Sequence, residues 1–325
     1  MVSIVEESTL RAVVTPERAV AAIRAAFEAD GVGRTRVPAV INLEVPSAHG
    51  EFHIKTAYIE GVPHIAVKVA SGFYDNPSRG LPSGSGLLAV FDATTGLPAA
   101  LLLDNGFLTD IRTAAAGAVA ADLLAPATIR VVGVLGSGVQ ARWQLRCLRV
   151  VRSFAAVLAW SPTRAHLDVF CEDMRAEGIP VQTADCHEVC AASDLLVTAT
   201  PARAPLVHAD WLHEGMHITA LGSDSPGKQE LDAACLDRAD LVIVDRFTQC
   251  AAFGELKHAL DAALLTRNDV HELGALVAGR HQGRTSNREI TIADLTGVGF
   301  QDTAIASASL SWLDSKVPGS GAPST

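Results

Sequence analysis

One short segment, Val131 to Ala141, constrains the fold of this chain more than any other. It is an apolar run that breaks into closely spaced glycines, Val-Val-Gly-Val-Leu-Gly-Ser-Gly-Val-Gln-Ala. Such a pattern predicts a buried strand that ends in a tight turn and opens a helix. Gly136 allows the turn, Gly138 lets the backbone approach a phosphate, and Ala141 lets the helix pack against the strand. A pyrophosphate would bind the N–H groups at the start of that helix, so the segment predicts dinucleotide binding, with a plain glycine turn as the alternative.

Composition and charge exclude several classes of function. With 325 residues, 49% of them hydrophobic and 19% charged, the chain is expected to form two domains with ample cores. A net charge of −10 and the lack of a basic stripe disfavour a nucleic-acid partner. The longest apolar candidate, Gly86 to Leu103, is interrupted by Asp92, Gly96 and Pro98, so no membrane span is expected. The N-terminus lacks the features of a signal peptide, and we expect a cytoplasmic protein.

The six cysteines do not suggest a disulfide framework in a chain of this size. The segment Cys186 to Cys190 has a spacing that lacks a second pair of metal ligands. It predicts a short helix with thiols on one face, and no metal site is expected.

The periodicity of apolar residues changes along the chain. Thr15 and Pro16 begin a helix, as N-cap and first helical residue. From Arg36 to Leu103, short β-branched runs alternate with turn signals, which predicts an antiparallel meander. An alanine-rich helix follows from Gly106 to Leu124.

Strands and helices then alternate, which predicts a parallel sheet covered by helices. A last helix is expected from Phe300 to Leu313, and a flexible tail from Val317 to Thr325. The expected strands of the parallel sheet are Ile129–Leu135, Ala156–Trp160, Leu195–Thr200, His217–Leu221, Leu241–Val244 and Ile290–Asp294.

Three basic residues lie in segments that are otherwise suited to burial. Lys68 and Lys55 are each in an apolar strand, and Arg112 is in a helix of small residues. Cations in such places could clamp one carboxylate, with arginine giving a bidentate geometry. Alternatively, Lys68 pairs with an internal acid, and Arg112 forms a surface salt bridge with a residue such as Asp110.

Two loops follow predicted strands of the parallel sheet, where ligands of such sheets gather. Asp224, after one strand, could exchange a proton with an amine or imine, or could simply form a turn. The segment Asp294 to Asp302 could contact the nicotinamide end of a dinucleotide, or could be a turn followed by a helix cap.

In this order, these segments resemble the ornithine cyclodeaminase/μ-crystallin family, over about Thr15 to Leu310. The resemblance implies an α/β fold with a Rossmann NAD(P)-binding domain at residues 116–302. It also implies a discontinuous α+β substrate-binding and dimerisation domain at residues 1–115 and 303–325, with dimers formed through the meander sheets. The segments that carry it are Val67-Lys68, Leu108 to Ala115, Gly133 to Ala141 and Ser223 to Leu231.

The resemblance also implies residue roles. Lys68 and Arg112 would bind the substrate carboxylate, with Arg36, His53 and Lys55 as further substrate-binding candidates. Asp224 would be the general acid/base, and Lys68 would assist catalysis. The implied cofactor-binding residues are Thr109, Thr113, Gly136, Ser137, Gly138, Val139, Gln140, Ser161, Thr163, Arg164, Thr198, Thr200, Gly222, Ser223 and Val298.

In the reaction implied by the family, the cofactor takes a hydride from Cα of a diamino acid, which gives an imine. The distal amine attacks this imine, ammonia leaves, and the resulting cyclic imine receives the hydride back. We favour this cyclodeaminase reaction. The alternative is an imino-acid (ketimine) reductase or amino-acid dehydrogenase, which catalyses half of the scheme. A non-catalytic binding protein is a third class, against which Lys68, Arg112 and Asp224 argue together.

The sequence departs from the ornithine-specific pattern at two places. Where those members carry a glutamate for the distal amine, this chain has His53 and Lys55, which are unfavourable for a cation. The predicted strand that contains His53 and Lys55 instead resembles that of family members associated with ectoine breakdown. Lys55 would equally suit an imino acid with a second carboxylate. In addition, the segment after the predicted second strand of the Rossmann domain lacks the acid that holds the ribose in NAD enzymes. It contains Ser161, Thr163 and Arg164, which could accept a 2′-phosphate, so we favour NADP over NAD; the alternative is that Arg164 points to solvent.

Overall fold

A computed structural model of the chain describes residues 2–315, and the tail predicted from Val317 to Thr325 lies outside this part. The described chain divides into two compact units. Unit 1 consists of the residues up to Ala26, Arg34–Arg112 and the residues from Val298 onwards. Unit 2 consists of Phe27–Gly33 and Thr113–Gly297. The described helices include none that is both long enough and apolar enough to cross a membrane.

Unit 1 is built on a seven-stranded sheet in the order β1-β7-β6-β5-β4-β2, with β3 paired to β4. Its strands from β3 to β7 pair antiparallel, which confirms the predicted meander, and β1 adds in parallel to β7. The elements of unit 1 are β1 (Ser3–Glu6), α1 (Glu7–Arg11), β2 (Thr35–Arg36), β3 (Ile41–Val45), β4 (Gly50–Ile59), β5 (His64–Phe73), β6 (Gly84–Asp92), β7 (Pro98–Leu103) and α11 (Gly299–Asp314). Helices α2 (Pro16–Gly31) and α3 (Phe107–Leu124) each continue from one unit into the other.

The last helix, α11, packs on one face of this sheet, here called the inner face, against β4, β5 and β6. Its first residue lies so close to β4 that a Cβ on Gly299 would be 2.3 Å from the carbonyl oxygen of Thr56. Farther along, the Thr303 hydroxyl donates to the carbonyl of Ala57 and accepts from the N–H of Ala66. These contacts fix the first turn of α11 on the inner face, where the side chain of Asp302 meets Lys68 of β5.

The opposite face of the same sheet, here called the outer face, is apolar. Residues directly opposite each other in the ladder share a face, and the outer-face pairs include Ile41 with Ile54. Several of these side chains are exposed, with Ile4, Ile41 and Leu43 each more than half accessible. Further apolar residues of the outer face include Phe52, Ile65, Val67, Val69, Leu87, Ala89 and Leu101.

Unit 2 contains an eight-stranded, all-parallel sheet in the order β10-β9-β8-β11-β13-β17-β15-β16. The α/β class with a Rossmann-like parallel sheet is thus confirmed, and the core strands are almost entirely buried because the sheet packs within a large apolar cluster. The bounds are β8 (Ile129–Leu135), α4 (Val139–Val151), β9 (Phe154–Trp160), α5 (Arg164–Ala176), β10 (Val181–Thr183), α6 (Cys186–Ala192), β11 (Leu195–Thr198), β12 (Arg203–Val207), β13 (His217–Ala220), β14 (Gln229–Leu231), α7 (Ala233–Arg238), β15 (Leu241–Val244), α8 (Phe247–Phe253), α9 (Glu255–Asp261), β16 (Val270–Glu272), α10 (Leu273–Val277) and β17 (Thr291–Asp294).

All six predicted strands of the parallel sheet are present, four of them with shifted ends. The two edge strands β10 and β16 were missed because each has only three residues, too few to display a period. The small parallel pair β12 and β14 was missed as well. Cys186 to Cys190 lies in the short helix α6 as expected.

Replacement of Gly299 tests how α11 is seated on β4. Gly299→Ala should lower the free energy of unfolding by about 1–3 kcal/mol, because the added methyl group overlaps backbone atoms of Thr56 that cannot rotate away. Thermal or denaturant unfolding measures the change. The matched control is Gly84→Ala, since a Cβ there would be 3.9 Å from its nearest neighbour. Equal effects of the two substitutions would contradict the close approach.

Candidate functional site

A buried ionic cluster lies on the inner face of unit 1. The Nζ of Lys68 is 3.1 and 3.0 Å from the two carboxylate oxygens of Asp302, and the Nε of Arg112 donates to Oδ1 of Asp302 at 2.9 Å. A second nitrogen of Arg112 donates to Oε1 of Gln301 at 2.9 Å. All four side chains are almost inaccessible to solvent. The structure therefore gives Lys68 an internal acid as partner and places Arg112 inside unit 1, with a partner other than Asp110.

The charges of this cluster act strongly on one another. Burial is the largest cause that lowers the pKa of Lys68 to about 7; the charges of Arg112 and Lys55 lower it further, and Asp302 acts against them. Burial alone would raise the pKa of Asp302, but Lys68, Arg112 and Lys55 together bring it below its ordinary value. Burial also raises the pKa of the nearby Asp104 to about 6. Three cations thus act on the carboxylate of Asp302.

The predicted substrate residues of β4, His53 and Lys55, lie in one row. Glu51 precedes them in the same row, because these three residues alternate along the strand and so face the same side. The Nε2 of His53 is 3.3 Å from a Glu51 oxygen, which also accepts a hydrogen bond from the hydroxyl of Tyr74. Lys55 is buried and lies directly opposite Lys68 in the β4–β5 ladder, so the row reaches the ionic cluster.

Arg36, the remaining predicted substrate residue, lies at the edge of the unit 1 sheet in β2. Its guanidinium donates to the carbonyl of Thr35, and the side chain is largely exposed.

In unit 2, the glycine turn has the conformation that the sequence predicts. Gly136 has φ +116°, and a Cβ there would be 2.6 Å from the carbonyl oxygen of Ala199, so only glycine fits. Gly138 is the N-cap residue of α4, and a Cβ on it would meet no atom within 4 Å. An open helix N-terminus of this kind suits a phosphate group.

A pocket of about 420 Å³ adjoins this turn. Its walls are mostly apolar, and hydroxyls of Ser137 and Ser161 hydrogen-bond to each other at 2.9 Å beside the turn. His166, which the sequence analysis missed, also lines it. The remaining lining residues are Gly136, Gly138, Trp160, Pro162, Thr163, Ala199, Thr200, Pro201, Ala202 and Leu206. Its size and its mixed wall are those of a small-molecule site.

Arg164, by contrast, is not among the residues that line this pocket. Its Nε is 2.9 Å from an Asp168 oxygen one turn along α5, and the side chain is 71% exposed. A surface pair of this kind is weakly held, so the guanidinium can change partner at little cost.

Glu230 joins the ends of two neighbouring strands of unit 2. Its carboxylate accepts from the hydroxyl of Thr198 at 2.7 Å, the N–H of Thr200 at 2.6 Å and the N–H of Gly222 at 2.7 Å. The side chain is completely buried, and burial raises its pKa despite these hydrogen bonds. Three predicted cofactor residues are thus held together by one acid, which the sequence analysis did not identify because its partners come from elsewhere in the chain.

Asp224 follows β13 on the segment that Glu230 anchors. Its side chain is about half exposed, and its Oδ1 is 2.6 Å from the Nζ of Lys228. The hydroxyl of the preceding Ser223, a predicted cofactor residue, donates to the carbonyl of Lys228 at 2.9 Å. In this structure the hydroxyl therefore stabilises the loop that carries Asp224. The carboxylate is accessible, as a group that exchanges a proton with a ligand has to be.

The other predicted cofactor residues lie on helices or at helix ends. Thr109 and Thr113 are half-buried on α3, in unit 1 and unit 2 respectively. Val139 and Gln140 form the first turn of α4, and Val298 is the N-cap residue of α11. Their assignment to the cofactor stays a prediction.

Comparison with known proteins gives a consistent result. The model of the ornithine cyclodeaminase/mu-crystallin family matches residues 2–311. The chain is 42% identical to an uncharacterized cyclodeaminase of Sinorhizobium fredii, over 98% of this chain and 97% of that protein. It is 36% identical to the alanine dehydrogenase of Archaeoglobus fulgidus, over 93% and 92%, and 32% identical to the iminosuccinate reductase of Paracoccus denitrificans, over 94% of each.

Solved structures agree with these relatives. An archaeal alanine dehydrogenase dimer with bound NAD superposes with a TM-score of 0.91 at 32% identity, covering 97% of each chain. A pyrroline-2-carboxylate reductase of Thermococcus litoralis, in complex with NADH and L-proline, gives 0.92 at 29% identity, covering 96% and 98%. The iminosuccinate reductase of Paracoccus denitrificans with NAD+ gives 0.89 at 31% identity, covering 97% of each chain. The chain therefore belongs to the ornithine cyclodeaminase/mu-crystallin family.

Proposed function

We propose that this protein is a nicotinamide-dependent enzyme that interconverts a small 2-imino acid and the corresponding amino acid. The observation that carries the proposal is the buried pair of cations, Lys68 and Arg112, that meets at the carboxylate of Asp302. Two such cations, one of them a guanidinium, suit a carboxylate ligand. Relatives with 28–36% identity named as alanine dehydrogenase, iminosuccinate reductase and pyrroline-2-carboxylate reductase support the same reaction class.

In this mechanism, Lys68 and Arg112 bind the carboxylate of the substrate, and Asp302 holds both cations in position. Asp224 gives a proton to, or takes one from, the nitrogen at Cα. The glycine turn at Gly136 and the pocket beside it would hold a nicotinamide dinucleotide, which would supply or accept the hydride when bound. Unit 2 fits that cofactor because the turn at Gly136 is left-handed and the helix N-terminus at Gly138 is open.

A cyclodeaminase, which the sequence pattern favours, is the second candidate. The name of the relative with 42% identity and the carboxylate of Glu51 on the inner face support it, because a diamino acid needs an anion for its distal ammonium. Lys55 argues against it, since a second ammonium beside Lys68 repels that group. We therefore now favour the reductase alternative.

One assay separates the two candidates. The absorbance of the reduced nicotinamide and the release or uptake of ammonia are followed together, with pyrroline-2-carboxylate, iminosuccinate, ornithine and 2,4-diaminobutyrate in turn. We expect NAD(P)H to be consumed in proportion to the imine. Ammonia release from a diamino acid without net change in the cofactor would instead establish the cyclodeaminase.

We also propose that the protein is a homodimer formed through the outer face of unit 1. The exposed apolar side chains of Ile4, Ile41 and Leu43 on that face would be covered in such a dimer. A dimer is named for the archaeal alanine dehydrogenase structure.

The pH dependence of carboxylate binding tests Lys68. Only the ammonium form attracts the ligand, and the pKa of Lys68 is about 7 in the free protein. Binding of pyrrole-2-carboxylate should therefore weaken by about tenfold per pH unit above 7, as Lys68 loses its proton. Titration calorimetry from pH 6 to 9 measures this. Lys68→Met should bind weakly at every pH; a dissociation constant of the wild-type protein that does not change with pH would exclude Lys68 as the titrating ligand.

Replacement of Asp224 tests the proposed acid/base. Asp224→Asn keeps the shape but cannot exchange the proton, so kcat should fall by about 10²- to 10⁴-fold. The dissociation constant of the cofactor, measured by fluorescence, should stay nearly unchanged. Asp237→Asn, at an exposed carboxylate of α7, is the control. Normal turnover in Asp224→Asn would remove this residue from the mechanism.

The pocket residues beside the glycine turn bear on the choice of cofactor. The described residues that line the pocket include no acid, while Ser161, Thr163 and His166 can all donate hydrogen bonds. We propose that the pocket accepts the 2′-phosphate of NADP(H) and favours it over NAD(H).

Ser161→Asp should therefore weaken NADPH binding by about tenfold or more through charge repulsion, and change NADH binding little. Fluorescence titration gives both dissociation constants. Ser161→Ala is the matched control, because it removes the hydroxyl without adding charge. Equal losses for the two cofactors in Ser161→Asp would show that no 2′-phosphate lies near this residue.

A further inference from the structure

The side-chain amide of Gln301, in the first turn of α11, is hydrogen-bonded at one end only. Its Oε1 accepts a hydrogen bond from a guanidinium nitrogen of Arg112 at 2.9 Å. Its Nε2 is buried and has no hydrogen-bond partner among the residues that the structure describes. The whole side chain is inaccessible to solvent. Buried polar groups nearly always have a partner, because an unmatched donor loses its hydration without compensation, so this donor calls for an acceptor.

The orientation of this amide is fixed by its neighbour. A guanidinium carries only donors, so the end of the amide that faces Arg112 has to be the oxygen. Turning the amide over would place two donors against each other. Nε2 is therefore the unmatched end. It lies within about 5 Å of the Arg112 nitrogen, since Oε1 and Nε2 are bonded to the same carbon.

The groups next to Gln301 are the cations to which the proposed function assigns a carboxylate. Arg112 donates to Gln301 and to Asp302, and Asp302 also contacts Lys68. All four residues belong to unit 1. A carboxylate has two oxygens with about four acceptor positions in total, so one oxygen can accept from a cation and from an amide at once. A carboxylate held by Arg112 would thus also be within reach of an N–H donor on the adjoining amide.

We propose that Gln301 is a substrate-binding residue, whose Nε2 donates to the carboxylate that Lys68 and Arg112 hold. The inference rests on the proposed function, because it adds a contact to the carboxylate of the same substrate. It also assigns a role in specificity. A carboxylate offers only acceptors, whereas a carboxamide brings N–H groups of its own, one of which would meet the donor Nε2. Gln301 therefore selects ligands whose end group accepts hydrogen bonds at both of its atoms.

Exchange of this donor for an acceptor tests the proposal. Gln301→Glu keeps the shape, and one of its oxygens can still accept from Arg112. The wild-type protein should bind pyrrole-2-carboxylate more tightly than pyrrole-2-carboxamide. In Gln301→Glu, the carboxylate should bind about 100-fold more weakly than to the wild type, whereas the carboxamide should bind at least about threefold more tightly, because its NH2 group gains an acceptor. Titration calorimetry measures both dissociation constants.

The neutral carboxamide separates a direct contact from a mere change in charge. A negative charge that does not touch the ligand would weaken binding of the carboxylate but leave binding of the carboxamide unchanged. Gln182→Glu makes the same chemical change at an exposed residue of β10 and is the matched control, for which both dissociation constants should stay unchanged. Thermal unfolding of each variant shows whether it is folded.

A neutral variant gives a second, kinetic test. Gln301→Met has a similar length but neither donor nor acceptor. For the imine that the protein reduces, KM should rise by about tenfold or more while kcat changes by less than about threefold, because the carboxylate is held in the ground state and in the transition state alike. A fall in kcat at unchanged KM would contradict a contact to the carboxylate.

The outcomes separate this inference from the proposed function. Binding of pyrrole-2-carboxylate to the wild-type protein, together with carboxamide binding that is unchanged or weaker in Gln301→Glu, would overturn the role of Gln301 and leave the carboxylate site in place. Equal KM values of the wild-type protein and Gln301→Met would do the same. A wild-type protein that neither binds pyrrole-2-carboxylate nor reduces any imine would overturn the proposed function, and this inference with it.

Discussion

The carboxylate of Asp302 lies between Lys68 and Arg112, and the proposed chemistry of unit 1 depends on this contact. The three residues come from distant parts of the chain, since Asp302 is 234 residues from Lys68 and 190 from Arg112. Two cations without this acid would repel each other in a buried environment, and removing one partner of a buried ion pair typically costs several kcal/mol. Helix α11 therefore packs on the meander sheet for two reasons: it buries apolar surface, and its Asp302 neutralises buried cations. Gly299 permits it, because β4 leaves no room for a side chain at the start of that helix.

Unit 2 uses buried acids in a different way. Glu230, Glu255 and Asp294 are almost fully buried, and each accepts backbone N–H groups at strand or helix ends. Burial raises the pKa of Asp294 to about 7, and that of Glu255 well above its usual range. In unit 1 the acid pairs with two buried cations, whereas in unit 2 the acids accept hydrogen bonds from backbone N–H groups near the ends of the parallel strands. The Thr200 loop and the segment that leads to Asp224 gain fixed positions because the N–H groups of Thr200 and Gly222 both donate to Glu230.

Much of the secondary structure and of the dinucleotide-type turn could be predicted from the sequence. The strand, turn and helix around Gly136 were predicted correctly because glycine spacing, apolar period and helix start agree over a few residues. The meander and the last helix were also predicted, since alternation and helical spacing are local signals. Edge strands of three residues were not, because they are shorter than any period. His166 was missed because a lone histidine on a helix carries no signal until the pocket is formed.

By itself, the sequence determined the antiparallel meander, the parallel sheet covered by helices, the glycine turn suited to a phosphate, and the family to which the chain belongs. It also marked Lys55, Lys68 and Arg112 as unusual, because charged residues interrupt apolar segments there. Only the tertiary structure decided what surrounds those charges. The partner acid comes from α11, and the opposition of Lys55 to Lys68 follows from the strand register. Both depend on pairing between segments far apart in the chain, and the burial that makes these charges matter exists only once the segments have met.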